Sequence, residues 1–371
     1  MYKQPWIGRP AVDIVFILLP PFLSLLVIVL FPQLFGNNKG MPDMGWVILV
    51  LLIDVAHVYS TLYRTYFDRG ALSTQRSLLW AIPFFGFVAG VLVYSISSLL
   101  FWRLLAYVAV FHFVRQQYGF MRVYSRKEPK KTLAARIDTI TIYYATLYPI
   151  LYWHLQGPRN FNWFIEGDFL FVQAGWLLPV FTALYIITVA AFVVKEVLSF
   201  LATKQVNIPK LAIISGTLLS WYFGIVYFNG DMAFTLLNVV SHGIPYMALV
   251  WIYGEKNYSK KEKGYSFLRL VFSRYGVVIF LALIFLFAFV EEGLWDMAVW
   301  KEHRNIFGSQ FGNIDISEKL LSFIVPLLAL PQITHYILDG FIWKVRQDEF
   351  KWSSEVQPNA VQPSAEKAQV Q

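Results

Sequence analysis

The chain has 371 residues and is 57% hydrophobic and 18% aromatic. It is only 15% charged, against about 25% in an ordinary soluble domain, and its mean hydropathy is +0.52. This balance excludes a soluble globular domain. The absence of cysteine removes thiolate catalysis, zinc–cysteine sites, iron–sulfur clusters and disulfides. The net charge of +8 is carried by short loops between apolar runs, so it reads as a topology signal rather than a nucleic-acid surface.

A span needs about 20 mostly apolar residues. The first apolar run, Val15 to Phe31, is too long for a signal-peptide core and lacks a small-residue cleavage site, so it reads as a first span. In chain order the predicted helices cover 14–31, 46–66, 77–95, 99–121, 137–155, 172–194, 208–228, 233–252, 275–291 and 321–343. The even-numbered connections up to the eighth hold the Lys and Arg clusters: Arg64, Arg69 and Arg76, then Arg122 to Lys131, then Lys195, Lys204 and Lys210, then Lys256 to Lys263. The odd-numbered ones hold almost none, apart from a mixed ninth, which is long enough to form an interfacial cap. This alternation follows the positive-inside rule with both termini cytoplasmic. The predicted class is therefore all-α, a polytopic membrane helix bundle of about ten transmembrane helices over 1–348. A disordered tail rich in Gln, Ser, Pro and Ala follows at 352–371. The expected location is the inner membrane of a bacterium.

Four histidines, His57, His112, His242 and His335, fall near the middle of four different predicted spans. Burying an imidazole costs free energy unless a partner satisfies it. All four helices run in the same direction in this topology, and each histidine lies about 8–10 residues, or about 12–15 Å, from the inner end. They form one layer near the midplane of a hydrocarbon core about 30 Å thick. Such a layer predicts a metal or haem site; any one of these histidines alone could be a helix–helix hydrogen-bond donor. His154 and His303 fall at or beyond the outer boundary, where a structural role is favoured.

Neighbouring polar residues supply candidate partners for the imidazoles. Asp54 precedes His57 by three residues and Asp339 follows His335 by four, so each pair shares a helix face. Asn238, four before His242, and Gln116, four after His112, are candidate acceptors for the other two. Tyr59, Phe111, Phe113, Tyr246 and Tyr336 surround the layer and would suit a long apolar substrate, although a packed core predicts them equally. Arg64 and Arg115 are expected to snorkel to the cytoplasmic interface, and Arg103 to anchor the outer end of its helix.

Membrane di-iron desaturases and hydroxylases need paired HxxxH and HxxHH boxes and more histidines than the six present. Nitrogen ligands suit iron, copper or zinc, and a four-imidazole set with few carboxylates fits a single iron better. The segments Asp54-Val-Ala-His57, Phe111-His112-Phe113, Ser241-His242-Gly243 and Gln332-Ile-Thr-His335-Tyr-Ile-Leu-Asp339 resemble, in order, the histidine motifs of the Brp/Blh-like membrane β-carotene 15,15′-dioxygenases. The last motif, with Phe341-Ile-Trp-Lys344 behind it, is the nearest match. In the first, Val58 stands where the family has Gly, and Asp54 lies upstream rather than downstream. In the third, His242 is single where the family usually has a pair. The resemblance implies a non-haem Fe(II) centre held by the four histidines and O2-dependent cleavage of a polyene to aldehyde. The expected partners are thus an apolar lipid or isoprenoid, with a carotenoid foremost, O2 and the bilayer, and no nucleic acid.

Three other readings stay open at this level. A b-type haem protein would use the histidines in axial pairs, with Arg64 or Arg115 meeting propionates, although stacked haems call for two depths rather than one. A proton-coupled transporter would use the His and Asp residues as a relay, but Pro83, Pro149, Pro179, Pro245 and Pro326 show no repeat of the kind that transporter halves carry. A purely structural subunit would lose only stability on histidine replacement.

Overall fold

The computed structural model describes residues 3–36, 40–258, 266–308 and 316–343. Lys260, Lys261, Lys263, Lys344, the tail expected at 352–371 and the middle of the ninth connection lie outside these residues. The described residues form helices and no strand, and a helix stands at every predicted position. We number them α1 (Pro10–Leu18 and Pro20–Leu30), α2 (Asp43–Arg64), α3 (Arg76–Ile96), α4 (Ser98–Tyr124), α5 (Leu133–Gln156), α6 (Gly175–Thr203), α7 (Ile208–Tyr227), α8 (Asp231–Tyr258), α9 (Val277–Trp300) and α10 (Glu318–Ile342).

Eight of these, all but α1 and α5, are long and apolar enough to cross a membrane. The two parts of α1 meet at 52° and make a ninth if they count as one span. The bend falls where Pro20 and Pro21 interrupt the backbone hydrogen-bond ladder. Helix α5 has the length, but it carries Arg136 and Asp138 among Thr and Tyr residues and does not reach the same apolarity. Among the described residues, eight helices, or nine with α1, thus have the length and apolarity of a span, where ten spans were expected.

Burial orders the bundle. In the most apolar window of α8, 78% of residues are buried, against 11% in α3 and in α6. Helix α8 is the central post and packs on α1, α2, α4 and α7. Helices α3 and α6 are peripheral, and their Phe84, Phe85, Leu92, Ile186, Ile187 and Leu198 face outward, as apolar side chains do where lipid replaces water. Ser97 starts α4 by accepting the Leu100 N–H, and Asn207 starts α7 by accepting the Lys210 N–H, each satisfying an orphan donor of a helix N-terminus.

Helix α2 departs from α-helical winding. It is π-helical over Val47–Val55, α-helical over Ala56–Ser60 and 3-10 over Thr61–Arg64. Wide turns of this kind concentrate at functional sites because they shift the phase of the residues that follow. His57 follows directly. Gly243 on α8 lets α2 approach closely: a Cβ there would lie 2.9 Å from Ile53 Cγ2 and 3.0 Å from the Ile53 carbonyl. Arg64 does not snorkel as expected; it is buried, with its guanidinium 4.2 Å from the Tyr253 ring centroid. The Tyr253 ring, with Trp343 at 5.9 Å, offers its charge an aromatic face inside the bundle. Arg115 lies exposed against the Tyr143 hydroxyl, and Arg103 donates to the Gly167 carbonyl.

Candidate metal centre

The four histidines of the predicted layer meet at one point. His57 from α2, His112 from α4, His242 from α8 and His335 from α10 each offer one ring nitrogen, and these nitrogens all lie within 4.8 Å of one another. The side chains are between 0% and 3% exposed. His242 Nε2 is 3.1 Å from His57 Nε2 and 3.2 Å from His112 Nε2. At metal–imidazole bonds of about 2.0–2.1 Å, tetrahedral nitrogens stand about 3.4 Å apart.

Three of the four outward nitrogens have partners that favour Nε2 facing inward; the fourth, His242 Nδ1, is buried without one. His57 Nδ1 meets the Ile53 carbonyl at 3.3 Å, with Asp54 Oδ1 at 3.7 Å. His335 Nδ1 meets Thr61 Oγ1 at 2.6 Å. His112 Nδ1 lies 3.5 Å from Asp339 Oδ2. With Nδ1–H directed outward in His57, His112 and His335, their three Nε2 atoms present lone pairs to the centre. Facing lone pairs at this spacing repel unless a cation lies among them. His335 Nε2 is buried and has no hydrogen-bond partner. The donor set therefore fits one metal ion. It does not fit haem. Two axial imidazoles need the whole porphyrin between them, whereas here two further imidazoles occupy that plane.

The partners of the imidazoles differ from same-helix expectation. Asp339 shares a face with His335 but turns across to His112 on α4, and its Oδ1 accepts the Tyr246 hydroxyl at 2.6 Å. Tyr246 also meets Thr61 Oγ1 at 2.9 Å. A directional chain results, from His335 Nδ1–H to Thr61, from Thr61 to Tyr246 and from Tyr246 to the Asp339 carboxylate. Gln116 does not reach the His112 ring; it donates to the His242 carbonyl at 2.9 Å. Gln117 donates to the Ser241 carbonyl, so the pair clamps α4 to α8. Asn238 donates to the Phe234 carbonyl of its own helix, and its Oδ1 has no protein partner. Thr61 was not a sequence candidate. Four residues separate it from His57, yet its partner sits on α10, and no spacing rule links α2 to α10.

A cavity of about 640 Å³ opens at the end of the bundle away from the Lys-rich connections and runs down to Phe113 and Tyr336, which separate it from the four imidazoles, none of which lines it. Phe113 stacks on the His242 ring at 3.5 Å between centroids, and Tyr336 lies 5.2 Å from the His112 ring. Three other expected wall residues do not line it. Phe111 is 65% exposed on the bundle surface, because adjacent helical residues point about 100° apart. Tyr59 stacks on Phe287 of α9. Tyr246 is fully buried and holds Thr61 and Asp339 instead. His303, expected to be structural, stacks on Trp46 at 3.9 Å and helps form the rim. Asp168 orders the connection after α5 by accepting the N–H groups of Trp163, Phe164 and Ile165. Burial pushes its carboxyl above the usual range despite the opposing pull of those donors.

No family model, curated protein or solved structure matches the chain.

Proposed function

We propose that this protein is a membrane-embedded non-haem iron oxygenase in which His57, His112, His242 and His335 hold Fe(II). Its substrate is a long lipid or isoprenoid, oxidised with O2, and its place is the inner membrane of a bacterium. The observation that supports this reading above all is the convergence of four buried ring nitrogens, three of them on imidazoles whose outer nitrogen faces a protein acceptor. Bound there, iron would supply the O2-dependent oxidation that no amino-acid side chain provides.

The chain's own residues orient and enclose. Thr61 and Asp339 fix two imidazoles in one tautomer, and the Ile53 carbonyl fixes a third. Phe113 and Tyr336 place a substrate chain against the histidines and keep water from them. Cleavage of a carotenoid to aldehydes, as the motif resemblance implies, is one such reaction. The polar lining of the cavity favours a substrate with a polar end over a pure hydrocarbon.

The test is metal content and an optical spectrum on detergent-purified protein and on the His→Ala variants at positions 57, 112, 242 and 335. We expect one iron per chain, no Soret band and loss of iron in every variant. A well-folded protein that holds no metal under any loading condition would refute the proposal.

A further inference from the structure

The cavity above the histidines has a lining that the metal centre does not require. Five carboxylates line it, Asp54, Glu166, Asp231, Glu292 and Glu302, and no Lys or Arg among the described residues does. Such a lining has no cationic side chain to pair with a carboxylate or phosphate and offers oxygen acceptors to a cation. Two lining side chains are more than nine-tenths buried and carry unpaired oxygens. Glu292 is 7% exposed and has no hydrogen bond or ion pair with any described residue. Asn238 is 2% exposed, and its Oδ1 is unpaired. Burying such groups is costly unless something satisfies them.

Five tryptophans line the same space. Trp102, Trp295 and Trp300 form a cluster with centroids 5.4–5.8 Å apart. Indole rings and a buried carboxylate lining one cavity favour a cation with charge spread over carbon, as in an alkylated ammonium. A metal ion fits this region less well. Among the described residues, the four histidines are the group of three or more His, Asp or Glu whose ligand atoms converge, and the cavity carboxylates form no such set. A volume of about 640 Å³ falls in the range of pockets for ligands of drug size.

We propose that this cavity binds an organic ammonium group, with Glu292 as its counter-ion and the Trp102, Trp295 and Trp300 cluster beside it. On the oxygenase reading, on which this step rests for its meaning, the ammonium is the polar end of the substrate. The chain attached to it runs past Tyr336 and Phe113 toward the histidines.

Binding is measurable without turnover. The full chain in an uncharged detergent is titrated calorimetrically with benzyltrimethylammonium and with its uncharged carbon isostere, neopentylbenzene; empty micelles supply the background. We expect saturable binding of the cation alone, weakened about tenfold or more by Glu292→Gln and also weakened by Trp300→Leu. Iron content and melting temperature should hold in Glu292→Gln, which shows that the variant is folded. Equal binding of the isostere, or an unchanged affinity in folded Glu292→Gln, would overturn the inference. So would displacement of the probe by Mn2+ that itself depends on Glu292. A chain that holds iron but does not bind the probe overturns the ammonium site and leaves the oxygenase. Binding of the probe by a metal-free chain does the reverse.

Discussion

At the scale of single residues, the histidine layer was legible because depth along a helix is a matter of counting. Each residue rises about 1.5 Å, so position in a span fixes height without knowledge of packing. Rotation about the axis is not fixed in this way. Asp339 therefore had the right depth and the wrong partner, and Thr61 was missed. Thr61 carries the next test. Its hydroxyl accepts from His335 and stands 2.9 Å from the Tyr246 hydroxyl, so Thr61→Val leaves two buried groups unsatisfied at a cost of about 1–3 kcal/mol. Loss of an acceptor behind a metal-bound imidazole weakens metal binding about 10–100-fold. We expect Thr61→Val to show that loss in a chelator competition, and Thr61→Ser to restore it. If Thr61→Val binds iron as tightly as the parent chain, His335 does not depend on this contact.

At the scale of elements, the hydrophobic pattern placed every helix but could not reveal the winding of α2. Val47–Val55 is as apolar in a π-helix as in an α-helix, and the choice between them is made by what α8 offers across the interface. Gly243 is the position where the two meet. A methyl group there must push against Ile53, both its side chain and the carbonyl that holds His57 Nδ1. Overpacking of this kind costs about 1–3 kcal/mol, and here it also moves a ligand. Gly243→Ala is expected to lower the melting temperature and the iron content together. Gly119, whose Cβ would meet nothing within 4 Å, is the control, and Gly119→Ala should change neither. A drop in stability with full iron content would separate the interface from the site. The acidic cavity was equally out of reach of the sequence, because α2, α8, α9 and two connections each bring one carboxylate to it and no motif spans them.

At the scale of the whole molecule, helices without much buried surface must be held to the bundle by something other than apolar area. Between helices in lipid the hydrophobic effect gives no net pull, and α6 shows the consequence. Only 11% of its most apolar window is buried, yet it is joined to α5 and α7 by a charged knot. Lys195 bridges to Asp138 and to Glu196. Lys210 lies 3.0 Å from Glu128, 3.2 Å from Asp138 and 3.2 Å from Glu196. Lys210 is buried, as is Asp138. Removing one partner of a buried ion pair costs about 3–5 kcal/mol because the remaining charge keeps its desolvation penalty. Lys210→Met leaves three carboxylates with the single ammonium of Lys195. We expect a lower melting temperature in detergent and faster proteolysis in the connection between α6 and α7. Iron per folded chain should stay at the parent value, since none of the four histidines belongs to α5, α6 or α7. The partner variant Asp138→Asn should fall in the same direction. The double variant should fall by less than the sum, as residues in one network do. Full additivity would mean that the two side chains act apart.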